Sequence, residues 1–556
     1  MKFTRRDLLI WSAGAAAGLV VSPVPWKLLD DTSIWSQNWP WIPQPVHAPI
    51  EVKQTLCALC PKSCGLKVRM AAGWPVGIAG SSTHPVSAGA LCPLAFAAHQ
   101  LNWHPQRLRV VKRKGNASSW NEARAAFSKA AGEGPILIID GFPGRSASSV
   151  LEQFAQKKRG TYRVTFVPET RALVPYETWT GAAAQALTYD LQNAQTVVSF
   201  GAPLLDGWGI PGNFTRAWSE RAAGIADPQL RLIQIEPSLS RTAAKAWQWL
   251  PIRAESDAAL AAGLARVLLE ERLVAAHGPM PTLSLADASY QTGLPADSIR
   301  DLARAIVART PAVAIAPDYS PAIAALNVVL GAVGSRGGIL ARSKNAQPQA
   351  PAEQVISSAR AVLIDATVPW DFTPQTDAEI FRFAAWNPGQ TNADWLLPAP
   401  GFLEDLTDFP TAPTSPIETY AVAPALLKPT VEVHSAAEFL CGLDPELTRV
   451  EKLIHSHCAE LFRARTGSLC GQQAALVPSF ASVQKFEEQL WQGAVWAGDP
   501  PKPKVLRCTL KEWPNSPPQT PADDWLSSWG LPVQPPLASK LYQESGLRES
   551  VERRMA

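Results

Sequence analysis

Residues 56–64 read Leu-Cys-Ala-Leu-Cys-Pro-Lys-Ser-Cys, and a fourth cysteine returns at position 92. Cys57, Cys60, Cys64 and Cys92 thus form a C-x2-C-x3-C-x27-C series, and no other feature constrains the chain as much. Three thiolates on one tight loop hold three corners of a cubane and a fourth from a returning segment closes it, which points to one [4Fe–4S] cluster. Zinc also accepts four thiolates, but a zinc ribbon presents two short C-x2-C knuckles, and here Cys92 stands alone. Two disulfides are the remaining alternative in an oxidising compartment, although thiols this close along the chain make poor structural pairs.

The other four cysteines, Cys441, Cys458, Cys470 and Cys508, have no metal spacing and read as buried thiols or a disulfide. His455 and His457, at i and i+2 on an apparent helix starting near Glu451, share no face and read as surface residues. His84 and His104 read as turn-forming or hydrogen-bonding residues. At 556 residues the chain accommodates two to four domains. Charged residues make up 18%, with 50 prolines and 21 tryptophans, which points to a surface partly covered by partners or membrane. A net charge of +3 without a clustered Lys/Arg stripe sets nucleic-acid binding aside.

The chain opens Met1-Lys-Phe-Thr4-Arg5-Arg6-Asp7-Leu8. The arginine pair followed by an uncharged stretch from Leu8 to about Val24 matches the twin-arginine export pattern. The apolar run is shorter than the roughly 20 residues of a comfortable membrane span. Residues 1–30 are expected to be a signal or retained anchor, and 31–50 a linker whose Trp35, Trp39 and Trp41 sit at a membrane interface or a partner. Further on, Pro135–Gly141, Tyr189–Gly201 and Leu232–Pro237 read as short buried strands alternating with helices such as Ala258–Glu270. The expected fold class is therefore α/β, doubly wound, with ligand sites at the strand C-termini.

Leu56-Cys57…Cys64-Gly65-Leu-Lys-Val68, Gly73–Gly80 and His84-Pro-Val-Ser-Ala-Gly89-Ala-Leu-Cys92, then Pro105-Gln-Arg107-Leu108 and Ser119-Trp120-Asn-Glu-Ala123, resemble in order and spacing the N-terminal module of molybdopterin oxidoreductases. Ala325–Gly338 and Ala393-Asp394-Trp-Leu-Leu-Pro398 with Glu404 are similar to later passages of that family. The resemblance implies a [4Fe–4S] domain at 51–112, one α/β lobe from 113–160 and 306–470, and an inserted α/β lobe at 161–305. A Pro/Trp-rich extension at 471–556 would stand where the family's C-terminal β-barrel cap is absent or reduced.

Four departures limit what the resemblance implies. The family's molybdenum ligand should fall near Thr165–Arg171, where no Cys, Ser or Asp occurs and Glu169 is the candidate. Many members carry a lysine two residues after the fourth cysteine, and here that position is Leu94. The family's P-G-T-D turn toward the dinucleotide is replaced by Ala254-Glu255-Ser256-Asp257, which adds a Cβ and a carboxylate. After Cys508 too little chain remains for a barrel. Together with Phe200–Trp208, these features resemble the cofactor-less molybdopterin-like subunits of menaquinone reductase and alternative complex III.

The expected function is that of an exported iron–sulfur electron-transfer subunit of a membrane-associated respiratory complex on the periplasmic side. Its implied partners are iron–sulfur, multihaem cytochrome or quinone-interacting membrane subunits. Molybdopterin guanine dinucleotide is not expected to be bound. The alternatives are an active molybdenum or tungsten oxidoreductase, with Glu169 as ligand, and a scaffold whose cluster only staples the fold.

Overall fold

The computed structural model describes residues 4–21, 50–164, 167–225, 227–275, 278–342, 359–365, 378–387, 393–471, 474–499 and 506–514. The Trp35–Trp41 linker and the end of the chain from 515 lie outside these residues. Two compact units are present, Met1–Glu51 with Arg69–Pro75, and Val52–Val68 with Val76–Ala556.

In the first unit the helix Arg5–Val21 opens on a reciprocal cap. Asp7 N–H donates to Thr4 Oγ1 at 3.3 Å, and Thr4 N–H and Oγ1 donate to Asp7 Oδ2 at 2.9 and 2.6 Å. The arginine pair thus sits inside a self-capped first turn. No helix among the described residues is long and apolar enough to cross a membrane. Arg69–Pro75 forms the tip of a hairpin, with Ala72 and Gly73 at φ 50° and 82°, the left-handed pair that a two-residue turn between twisted strands requires.

The second unit is built around two parallel sheets. One has seven strands in the order Asn116–Ala117, Lys112–Arg113, Trp395–Pro398, Glu379–Ala384, Ala361–Asp365, Ile136–Asp140, Thr161–Val164. The last five of these strands run parallel and the first two form an antiparallel edge. Ile136–Asp140 and Ala361–Asp365 are buried along their whole length, which is why they read as unbroken apolar runs rather than alternating ones. Helices Trp120–Glu133, Ser146–Lys157 and Ala436–Leu443 contribute to this core, where Phe127 meets Phe154, Phe381 and Phe439. Ser119 and Glu122 form the capping box that starts the first of these helices.

The other sheet has the order Gln248–Leu250, Arg231–Ile235, Thr196–Phe200, Ala312–Ile315, all parallel. Its core takes in the helices Asp257–Glu270, Ala296–Val307 and Pro321–Val329. Buried Asn327 locks the last helix to the edge strand: Ala314 N–H donates to Oδ1 at 2.7 Å, and Nδ2 donates to Ala314 O at 2.7 Å and Tyr176 Oη at 2.9 Å.

The doubly wound α/β class is therefore observed, but three boundaries move. Thr161–Val164 belongs to the seven-stranded sheet, because it pairs with Ile136–Asp140. The inserted lobe runs past residue 305, because Ala312–Ile315 completes its sheet and Pro321–Val329 fills its core. Residues 407–497 carry an antiparallel five-stranded sheet, in the order Thr407–Phe409, Thr419–Ala423, Val495–Ala497, Ser468–Cys470, Ala475–Leu476. Its strands are two to five residues long and separated by loops and helices, so no alternating run betrays them in the sequence. It is open at both edges, and among the described residues no sheet closes into a barrel.

Candidate functional site

The strands Glu51–Leu56, Gly65–Ala71 and Trp74–Gly80 form a three-stranded sheet. The loop between the first two carries three of the predicted ligands and is closed by Cys57 N–H donating to Cys64 O at 2.8 Å. Ser63 holds a left-handed φ of 51° in this turn. The return to Cys92 is fixed by close packing: a Cβ on Gly80 would lie 2.0 Å from Gly89 O. Only a glycine lets the strand end approach that backbone. Cys92 then precedes the short helix Pro93–Ala97.

All eight cysteines are free thiols, which removes the disulfide alternatives; Cys57 and Cys64 are buried, and Cys60 and Cys92 partly so. Burial pushes the Cys57 and Cys64 thiols well up, and the other cysteines of the set push them further. Cys60 is pushed up to about 11 by burial, against the pull of Lys62. The four thiols thus act on one another around one volume. Among the described residues no three His, Cys, Asp or Glu side chains are arranged to hold a single metal ion. Four thiolates, three on one loop and one on a returning segment, are the donor chemistry a four-iron cube takes.

His84 is buried, and its Nδ1 accepts the backbone N–H of Val86 and Ser87 at 3.2 and 3.0 Å. It organises the return segment, and beyond Cys92 His104 Nδ1 accepts Gln106 N–H at 3.2 Å. Burial lowers the His84 imidazole from 6.5 to about 4. Its folded value lies below its unfolded one, so the neutral ring stabilises the fold above about pH 6.5 and that contribution is lost as pH falls toward 4. Between pH 7 and 4.5 the wild type should lose about 2–3 kcal/mol more stability than His84→Asn, which keeps an acceptor without the titration; urea midpoints along the pH series measure this.

Glu169, the candidate metal ligand, lies in the one-turn helix Pro168–Arg171 and is buried. Its Oε1 accepts Gly209 N–H at 2.7 Å and pairs with Lys62 Nζ at 2.9 Å. Lys62 also donates to Gly207 O. Gly207 and Gly209 flank Trp208 with φ of 109° and 68°, left-handed values that turn one carbonyl and one N–H toward this pair. Glu169 Oε2 is buried without a protein hydrogen-bond partner. Leu94 is 6% exposed, an aliphatic side chain in the core of the module. Glu255 is exposed and keeps the left-handed backbone, φ 63°, that a glycine would supply there.

A second polar cluster sits where the seven-stranded sheet reverses its winding. Asp140 and Asp365 end adjacent parallel strands in register. Arg145 Nη2 lies 2.7 Å from Asp365 Oδ2 and 3.5 Å from Asp140 Oδ1, and Tyr162 Oη donates to Asp140 Oδ2 at 2.7 Å. Arg145 also lines a small cavity of about 40 Å³ with Leu59 of the cysteine loop, Phe142, Trp386, Phe402 and Asp405. Such a switch point is where open α/β sheets bind ligands. Burial lifts Asp405 to about 7. Further along, Arg107 of the Pro105–Leu108 passage pairs with Glu404 at 2.5 Å, both buried, so two passages 297 residues apart meet in one ion pair.

Sequence reasoning brought out the four cysteines, Glu169 and Leu94 but missed Lys62 and Arg145. The available signal for Lys62 was a lysine inside a loop whose cysteines must be buried. Arg145 carried none, since only the sheet brings Asp365 to it.

Residues 50–101 match the molybdopterin oxidoreductase Fe4S4 domain. The menaquinone reductase molybdopterin-binding-like subunit of Nitratidesulfovibrio vulgaris is 32% identical over 368 residues, 61% of this chain and 53% of that protein. A nitrate reductase of Symbiobacterium thermophilum is 25% identical over 298 residues, 50% of this chain and 37% of that protein. The chain thus spans about half the length, or less, of these relatives. Acetylene hydratase from Pelobacter acetylenicus superposes with a TM-score of 0.59 over 81% of this chain and 74% of that one, at 14% identity, which speaks to the fold. Residues 50–101 thus carry the match to a molybdopterin oxidoreductase Fe4S4 domain, and the chain as a whole is similar to a molybdopterin-binding-like subunit and, in fold, to acetylene hydratase.

Proposed function

We propose that this chain is an exported iron–sulfur electron-transfer subunit of a membrane-associated respiratory oxidoreductase complex. One [4Fe–4S] cluster on Cys57, Cys60, Cys64 and Cys92 is its redox centre, and it has no molybdenum centre of its own. The observation that carries this reading is the pairing of Glu169 with Lys62 beside the four thiols. At the place where the family's metal ligand belongs, the candidate carboxylate is already neutralised by a lysine of the cysteine loop. Glu169 therefore does not fit a protein-ligated molybdenum, and Leu94 and the exposed Glu255 add to the misfit. A cluster passes single electrons, so the chain needs a donor and an acceptor among its neighbours. The similarity to a protein named as a menaquinone reductase subunit supports quinone-interacting, iron–sulfur or multihaem cytochrome subunits in that role. The test is affinity isolation of the chain from native membranes in mild detergent. Redox subunits in fixed stoichiometry support the reading, and a chain that leaves the membranes alone contradicts it.

Export is supported by the arginine pair in its Thr4–Asp7 cap. Replacing Arg5 and Arg6 together by lysine keeps the charge and helix propensity, so any defect reflects recognition of the pair rather than loss of the helix. The expected result is cytoplasmic retention of the variant, scored by fractionation; unchanged export would refute it.

A second reading, an active molybdenum or tungsten oxidoreductase, draws on one observation, the buried Glu169 Oε2 left without a protein partner. It requires one equivalent of the metal together with a pterin.

A further inference from the structure

We propose that Lys62 is a positioning residue that sets the reduction potential of the cluster, and that Glu169 and the Gly207–Gly209 turn hold its ammonium in place. This rests on the iron–sulfur reading above and deepens it.

Lys62 is 17% exposed and Glu169 only 4%, so the lysine does not reach into bulk water as an ordinary surface lysine does. Its ammonium is held by Glu169 Oε1 and the carbonyl of Gly207. Glu169 in turn is aimed by Gly209 N–H. A flexible four-carbon side chain is therefore held in one arrangement, two residues from Cys60 and two from Cys64. Its charge reaches both of those thiols.

The cluster is anionic and gains one more negative charge on reduction. A fixed cation in a poorly screened setting favours the reduced form and raises the potential, because Coulomb energy grows as the local dielectric falls. Glu169 partly offsets that charge, so the pair acts as a graded setting rather than a full unit of charge. The neighbouring position open to such a role, two residues after Cys92, is the buried aliphatic Leu94.

The experiment is a redox titration of the full chain followed by electron paramagnetic resonance, with iron counted per chain, for wild type, Lys62→Met, Lys62→Arg and Glu169→Gln. Lys62→Met should move the midpoint to more negative values. At the wild-type midpoint its reduced-to-oxidised ratio should fall about tenfold, equivalent to about 59 mV for a one-electron couple. Lys62→Arg should stay near wild type, and Glu169→Gln should move the midpoint the opposite way, with the g-values of the reduced cluster unchanged throughout. A Lys62→Met protein with full iron and an unmoved midpoint overturns the proposal, as do equal shifts in Lys62→Met and Lys62→Arg. If Lys62→Met fails to assemble its cluster, Glu169→Gln decides: a positive shift supports the proposal, and none overturns it. A wild type without a four-iron signal instead overturns the iron–sulfur reading, and this inference with it.

Discussion

Cys64→Ala should lose its bound iron nearly completely, while Cys470→Ala should keep a full complement. Cys64 is buried and its carbonyl accepts the Cys57 N–H that closes the loop. The backbone brings Cys57, Cys60 and Cys64 to one side, and Gly80 against Gly89 returns Cys92 to them. Removing a ligand from this set leaves one iron corner without its protein thiolate. Cys470 lies in a strand of the five-stranded sheet and is a free thiol with no part in the loop. Iron analysis after anaerobic purification, with the visible absorption of the cluster, compares the two. Equal iron in both variants would remove Cys64 from the ligand set.

The second large effect concerns stability. Arg145→Met should cost about 3–5 kcal/mol, because breaking a buried ion pair from one side leaves uncompensated charge. Arg145 stands between Asp140 and Asp365, which end neighbouring strands. Burial pushes the Asp365 carboxyl up while Arg145 pulls it down. Without the guanidinium the two carboxylates face each other in the core, and Asp365 Oδ1 already has no protein hydrogen-bond partner. Arg145 also donates through Nε to Phe142 O at 2.8 Å and precedes the helix Ser146–Lys157. Asp408 caps that helix from another segment, accepting Ser146 N–H at 2.8 Å and Ser146 Oγ–H at 2.7 Å. Adding Asp365→Asn to Arg145→Met should restore part of the loss, since it removes the stranded charge. Urea unfolding of the wild type and the two variants measures it. A single variant as stable as wild type would show that the arginine contributes no net stability.

Much of this was legible in the sequence for physical reasons that differ from place to place. Ile136–Asp140 and Arg231–Ile235 could be read because central parallel strands are buried on both faces and appear as apolar runs. The cysteine loop could be read because cluster ligation demands thiolates at fixed short spacing. The five-stranded sheet could not, since strands such as Ala475–Leu476 are too short to show a period of two. Arg145 and Asp365 could not be joined, because their pairing exists only once Ala361–Asp365 lies beside Ile136–Asp140. Glu169 was found by the position at which the resemblance expects a metal ligand, but the side chain that answers it, Lys62, lies 107 residues earlier, and no local pattern links them.

The central claim is that the cluster is the redox centre of a chain without molybdenum. Metal and pterin analysis of the purified full-length protein tests it most directly, run alongside paramagnetic resonance at poised potentials. The account predicts four irons per chain, a one-electron cluster signal on reduction, and neither molybdenum, tungsten nor pterin above background. Molybdenum or tungsten near one equivalent, with pterin, would contradict it.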